Sequence, residues 1–259
     1  MMSLLNQVVA VGLSSALLLT PAPPAPPIHH VSNALLPVAS NSLEFRPTGI
    51  DVASHQHPND IKINYDKVRS AGVRFVLVKA TEGMTYFNDH YIEDRSAATA
   101  AGLVTGSYHY ARPEKDMTSA SEQAKQFAAV TLSSRLPGDL PPILDIEEDG
   151  GLTVSELNQW VTAFIATLET LAGRKPIIYT YPSFWMYNMG NTTRFSHYPL
   201  WIADYNGKRL PTTPLPGGWK DYAFWQHSST GHIDGVPAVV DLNVFNGSLM
   251  DLEKMRYRG

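Results

Sequence analysis

The chain has 259 residues, 44% apolar and 17% charged, enough to bury one sizeable core as a soluble α/β domain. A net charge of −4 gives no basis for nucleic-acid binding, which needs a basic face. The absence of cysteine excludes disulfides, thiolate metal sites and a cysteine nucleophile.

Residues 8–19 form an apolar run with no Lys or Arg before it. Its length suits the core of a signal peptide and is too short to cross a bilayer unaided. Residues 1–20 therefore read as a signal peptide or an N-terminal apolar segment able to tether the protein to a membrane, without a stable span. Residues 21–45 are Pro- and Ala-rich and nearly uncharged, the composition of a linker, with His29 and His30 as bystanders. From 46 to 259 one domain follows. Apolar, β-branched runs at 48–52, 73–80, 104–110, 142–146, 176–180, 199–203, 222–225 and 238–242 alternate with helical patterns. Such alternation predicts a parallel sheet, and eight candidate strands predict a barrel.

Among the helices, 61–71 closes on Gly72, and Ser119 with Glu122 offers a capping box for a helix near 119–132. The clearest opens with the box Thr153 and Glu156. It carries Leu157, Trp160, Val161, Phe164, Ile165, Leu168 and Leu171 on one face and stops at Gly173, with Pro176 beyond. Helical patterning thins after residue 180. The Pro- and Gly-rich stretch 211–218 argues against a complete eightfold repeat.

Acidic residues recur at the ends of these strands: Asp51, Glu82, Asp145, Glu147, Asp204 and Asp241. In a parallel α/β barrel those ends meet on one face, where catalytic groups sit. Any one of them alone reads as a helix cap or loop residue. Gathered on one rim they raise each other's pKa, which is costly unless the charges are used. Asp145 and Glu147 stand at i, i+2 on one strand, on the same face, about 6.5 Å apart at Cα. Two carboxyls on one bond are the requirement for glycoside hydrolysis, and the spacing leaves both retaining and inverting geometries open. Tyr108, Tyr110, Tyr179, Tyr181, Trp201, Tyr205 and Trp225 surround the same rim, some as sugar platforms and the rest as barrel core. His55, His57 and His109 lack a third ligand at suggestive spacing, so no metal is expected, nor any other cofactor. There is no Gly-x-Ser-x-Gly elbow and no phosphate-cradling glycine loop.

Seven segments, in order, resemble the glycoside hydrolase family 25 lysozymes, the Chalaropsis-type muramidases. They are Gly-Ile-Asp-Val-Ala-Ser-His-Gln (49–56), Val-Lys-Ala-Thr-Glu-Gly-Met-Thr-Tyr-Phe-Asn-Asp (78–89) and Gly-Ser-Tyr-His-Tyr-Ala-Arg-Pro (106–113), then Leu-Asp-Ile-Glu (144–147), Pro-Leu-Trp-Ile-Ala-Asp-Tyr (199–205), Trp-Gln-His-Ser (225–228) and Val-Asp-Leu-Asn (240–243). His57 departs from the small residue the family pattern suggests there, which puts the mouth of the groove in question.

The resemblance implies an irregular TIM-like β/α barrel with fewer helices than strands, in a single domain. It also implies cleavage of the β-1,4 bond between N-acetylmuramic acid and N-acetylglucosamine, with peptidoglycan glycan strands as partner. By position, Glu147 resembles the general acid and Asp145 the residue that assists through the substrate's 2-acetamido group. Asp51 and Asp241 resemble the flanking acids of the catalytic set. Tyr108, Tyr110, Tyr179, Trp201, Asp204, Trp225 and Glu82 are the expected substrate-binding residues. A monomer, secreted or periplasmic, is expected. The competing readings are a catalytically inactive cell-wall sugar-binding barrel and a chitinase-like hydrolase.

Overall fold

The computed structural model describes residues 46–132 and 139–256. The apolar segment and linker expected over residues 1–45 lie outside the described residues. Among these, no helix is long and apolar enough to cross a membrane.

Nine strands are described, in the order β1-β9-β8-β7-β6-β5-β4-β2-β3, and β1 also pairs with β2. That last pairing closes eight strands into a barrel. The strands are β1 (Thr48–Val52), β2 (Phe75–Glu82), β4 (Val104–Tyr110), β5 (Ile143–Asp145), β6 (Ile177–Thr180), β7 (Leu200–Ala203), β8 (Phe224–Gly231) and β9 (Val240–Phe245). The short β3 (Tyr86–Phe87) turns back on the end of β2. Six α-helices accompany them: α1 (Tyr65–Ser70), α2 (Tyr91–Ala100), α3 (Thr118–Leu132), α4 (Val154–Ala172), α5 (Pro182–Tyr187) and α6 (Leu249–Met255).

The expected all-parallel sheet needs one correction: β9 runs antiparallel to both β8 and β1. The connection 232–239 is too short for the crossover that a parallel return requires. Its reversal brings the start of β9 to the rim where the other strands end. The capping box expected at Ser119 is also corrected. Asp116 Oδ1 accepts the Thr118 amide at 2.9 Å. Ser119 is buried and its Oγ accepts from Trp160 Nε1 of α4 at 2.9 Å.

Two apolar layers follow from the period of two along each strand. Val76, Val78, Leu144, Ile178 and Ile202 face outward and pack with Trp160, Phe164 and Leu168 of α4. Phe75, Leu77, Ile143, Ile177, Trp201, Phe224 and Phe245 form the other cluster, inside the barrel. The interior is tight at its base: a Cβ on Gly106 would fall 2.7 Å from Leu77 Cδ2. A filled base leaves the C-terminal rim as the place where inward-facing residues can be polar.

Candidate active site

On four of the strands, an apolar side chain that fills the base is followed, two residues on, by a polar or aromatic one at the rim. Phe75 and Leu77 are followed by Lys79, Ile143 by Asp145, Ile177 by Tyr179, and Phe224 by Gln226. On the reversed β9 the order inverts, and Asp241 and Asn243 precede Phe245. These residues converge on a cavity of about 300 Å³ lined by Asp51, Val52, Ala53, His55, Gln56, Lys79, Tyr108, Tyr110, Asp145, Glu147, Tyr179, Trp201, Gln226 and Asp241.

Backbone pairing fixes the acids. Asp145 lies beside Tyr110 on β4 and Tyr179 on β6. Its carbonyl accepts the Ala111 amide at 2.8 Å, and the next amide, Ile146 N, donates to Tyr179 O at 3.0 Å. Glu147 thus leaves the sheet directly over the cavity. Asp51 sits opposite Asp241 in the antiparallel β1–β9 pair. Asp51 Oδ2 accepts Gln226 Nε2 at 2.9 Å and Asn243 Nδ2 at 2.6 Å. Gln226 Oε1 in turn accepts the hydroxyls of Tyr179 at 2.9 Å and Tyr205 at 2.5 Å. Trp201 Nε1 donates to Asn243 Oδ1 at 2.8 Å, and its ring packs 4.4 Å from that of Tyr179. An amide and aromatic frame therefore orients one acid pair, Asp51 with Asp241, against the other.

All four carboxyls are pushed above the usual range, and burial is the first cause for each. The Asp241 charge adds to it at Asp51, and the Glu147 charge at Asp145. Lys79 opposes the rise at both Asp145 and Glu147. Asp145 is almost wholly buried, and its Oδ1 has no hydrogen-bond partner among the described residues. Glu147 is partly exposed. A half-open carboxyl that holds its proton to higher pH than an ordinary glutamate, beside a second, buried carboxyl, is placed to protonate a leaving oxygen.

The profile of the family described as glycosyl hydrolases family 25 matches residues 50–236. The chain belongs to that family. It is a glycoside hydrolase of the lysozyme type. It is similar to lysozyme M1 of Streptomyces globisporus, 36% identical over 208 residues that span 77% of this chain and 68% of the relative. It is 33% identical over 222 residues to the N,O-diacetylmuramidase of Chalaropsis sp, spanning 80% of this chain and 97% of that one. Among solved structures, the bacterial lysozyme from Streptomyces coelicolor matches with a TM-score of 0.74 and 35% identity, over 81% of this chain and 96% of that chain.

Within this family 25 barrel, Asp51, Asp145, Glu147, Asp241, Tyr108, Tyr110, Tyr179 and Trp201 all line the cavity. Three other expected binding residues stand off it. Trp225 is on the outward face of β8 in the layer under the helices, and its Nε1 donates to Asp204 O at 3.0 Å. Asp204 Oδ2 accepts Thr212 N at 2.6 Å and Asn206 Nδ2 at 2.9 Å, holding the loop after β7. Glu82 is ion-paired with Lys79 and with Arg112.

The histidines divide. His55 lines the cavity. His109 Nδ1 accepts Thr81 Oγ1 at 2.8 Å while Nε2 donates to Gln123 Oε1 at 3.0 Å, and burial holds its pKa down at about 4. His57 packs behind the wall, its Nε2 2.9 Å from Asp94 Oδ2 and its ring stacked on His90 at 3.8 Å. Its departure from the family pattern therefore affects the support of the loop that carries His55 and Gln56. Lys79, Gln56, Gln226 and Asn243 are site residues that acid-and-aromatic reasoning passed over. Lys79, Gln226 and Asn243 were readable by counting two residues on from Leu77, Phe224 and Asp241.

Proposed function

We propose that this protein hydrolyses the β-1,4 bond between N-acetylmuramic acid and N-acetylglucosamine in peptidoglycan. The observation that carries the reading is the pairing of a partly exposed Glu147, its pKa raised by burial, with a buried Asp145 whose Oδ1 has no hydrogen-bond partner among the described residues. Glu147 gives its proton to the glycosidic oxygen as the bond to the anomeric carbon breaks. The acetamido carbonyl oxygen attacks that carbon, while Asp145 accepts the acetamido N–H and offsets the positive charge, the substrate-assisted variant of glycoside hydrolysis. Water then attacks the anomeric carbon as its bond to the acetamido oxygen breaks and the amide carbonyl is restored, and the proton of that water returns to Glu147.

Tyr108, Tyr110, Tyr179 and Trp201 supply flat rings for the sugar faces. Asp51 and Asp241 complete the acid wall. The names of the relatives, lysozyme and N,O-diacetylmuramidase, favour a wall glycan over chitin. Peptidoglycan lies outside the cytoplasmic membrane, so the apolar segment at 1–20 is proposed as an export signal and 21–45 as the linker to a monomeric catalytic domain.

Reducing-end release from purified peptidoglycan and from chitin oligomers tests the reading. Wild-type protein is expected to cleave the first and not the second. Glu147→Gln is expected to lose activity by roughly a hundredfold to ten-thousandfold, the range of a general acid, with an unchanged circular dichroism spectrum. Full activity of that variant would remove Glu147 from the role.

A further inference from the structure

The cavity is lined by four carboxylic acids and, among the described residues, a single lysine. Lys79 is 8% exposed. It stands on the inward face of β2, opposite Tyr108 of β4, where the register slips between Lys79 and Thr81. A bulge of this kind next to a site re-aims the side chain beside it.

The ammonium is held from several directions. Its Nζ pairs with Glu82. It also lies 4.7 Å from the ring centre of Tyr110 and 5.4 Å from that of Tyr86. The hold extends outward: Glu82 Oε1 accepts Arg112 Nε at 2.9 Å, and Arg112 pairs with Glu148. Glu148 Oε1 accepts the Tyr110 hydroxyl at 2.8 Å. The Arg112 guanidinium lies 4.7 Å from the Tyr110 ring, as Lys79 does. Lysine, glutamate, arginine and glutamate alternate in sign, so the network adds no net charge of its own and keeps one cation facing the acids.

We propose that Lys79 is a positioning residue that sets the charge state of the Asp145–Glu147 pair, and that Glu82 and Arg112 hold its ammonium against the cavity. The proposal rests on the hydrolase reading of that pair. Without a facing cation, four buried acids would retain protons to higher pH, and the acceptor Asp145 would be neutral when the donor Glu147 was ready. Lys79 opposes the burial-driven rise at both acids. Other groups act on the same pair. Asp51 adds to the rise at Asp145, and Glu148 and Asp241 add to it at Glu147. Tyr108 and Tyr110 keep their protons under burial and the acids' charges, so they add none of their own. His109 is neutral behind the strand.

The test compares wild type, Lys79→Met, Lys79→Arg and Glu82→Gln. The pH dependence of kcat/KM on soluble peptidoglycan is measured beside carbon-13 NMR titration of the side-chain carboxyls. Removing the cation makes ionisation harder, so in Lys79→Met both limbs of the profile and both carboxyl titrations move to higher pH, by about one unit. Lys79→Arg keeps the wild-type limbs. Glu82→Gln leaves the cavity more positive and moves them to lower pH. Opposite displacements are not the product of a packing defect. A uniform loss of kcat/KM with unmoved limbs and unmoved titrations would overturn the proposal. Should Lys79→Met not fold, Glu82→Gln decides alone by the direction of its shift. If wild type releases no reducing ends, the hydrolase reading fails, while the carboxyl titrations still report on Lys79.

Discussion

The buried carboxyls are held at a free-energy cost to the fold, and that cost has a measurable sign. Asp145 is nearly inaccessible and its carboxyl is raised by burial first and by the Glu147 charge second. Between the ordinary carboxylate range and that raised value, the native state binds more protons than the unfolded chain. The stability Asp145 contributes is therefore fully present below the ordinary carboxylate pKa and is lost as pH rises through the raised one. His109, held down at about 4 by burial, acts in the opposite sense, its stability being lost as pH falls. A comparison between variants cancels the histidine. Asp145→Asn is expected to melt higher than wild type at neutral pH, with the gap closing toward pH 5, while losing at least about a hundredfold in activity. Thermal melts at matched pH values check this. An equal or lower melting temperature for the variant at neutral pH would show that the groups around Asp145 offset the cost of burying its charge. The same site shows how far single residues were legible. Acids on strand ends announced themselves, whereas Gln226 and Asn243 do their work as neutral amides on Asp51 and carry no charge to draw notice.

Elements were legible where local chemistry sufficed. β1 and β4 occupy the predicted residues, and α4 begins at the Thr153–Glu156 box and ends on Gly173 at φ 67°. A left-handed residue at that position suits glycine and terminates the helix. By contrast, α2 offers no apolar stripe to read. Its buried residues include Asp94 and Arg95, which pair with His57 and Asp139. A helix docked through a buried hydrogen bond and an ion pair has no hydrophobic period. α1 begins four residues later than the pattern predicts because Asn64 caps it, its side chain accepting Lys67 N at 3.0 Å. The best-read cap yields the simplest test: Thr153→Ala leaves the Glu156 amide without its acceptor and removes half of the reciprocal box. The expected loss is about 1 kcal/mol of unfolding free energy, read as a lower urea midpoint with an unchanged slope. Because α4 packs on the outer layer and not on the cavity, activity in native conditions is expected to stay at the wild-type level.

At the scale of the molecule, the sequence showed eight strands but not how they close. Closure depends on β1, which pairs with β2 on one side and the reversed β9 on the other. That seam delivers Asp51 and Asp241 together, and it runs through a contact no strand pattern reveals. Gly49 is registered against Phe75 on β2 and Asn243 on β9. A Cβ on Gly49 would fall 2.2 Å from Phe75 Cε2, well inside contact distance, with the ring fully buried. Glycine is required here by the close approach of the Phe75 ring, since the added atom has nowhere to go unless the ring moves. Gly49→Ala is therefore expected to destabilise the barrel by about 1–3 kcal/mol, as overpacked cores do. Two residues along the strand it is also expected to disturb Asp51 and lower kcat/KM. Phe75→Leu alone opens a gap in the base of the barrel and costs stability for the opposite reason. Combined, the two changes offset each other in space, so the double variant is expected to be more stable than Gly49→Ala alone, a coupling that urea unfolding of all four proteins measures. Simple additivity of the two losses would show that the seam closes around Gly49 without depending on the Phe75 ring.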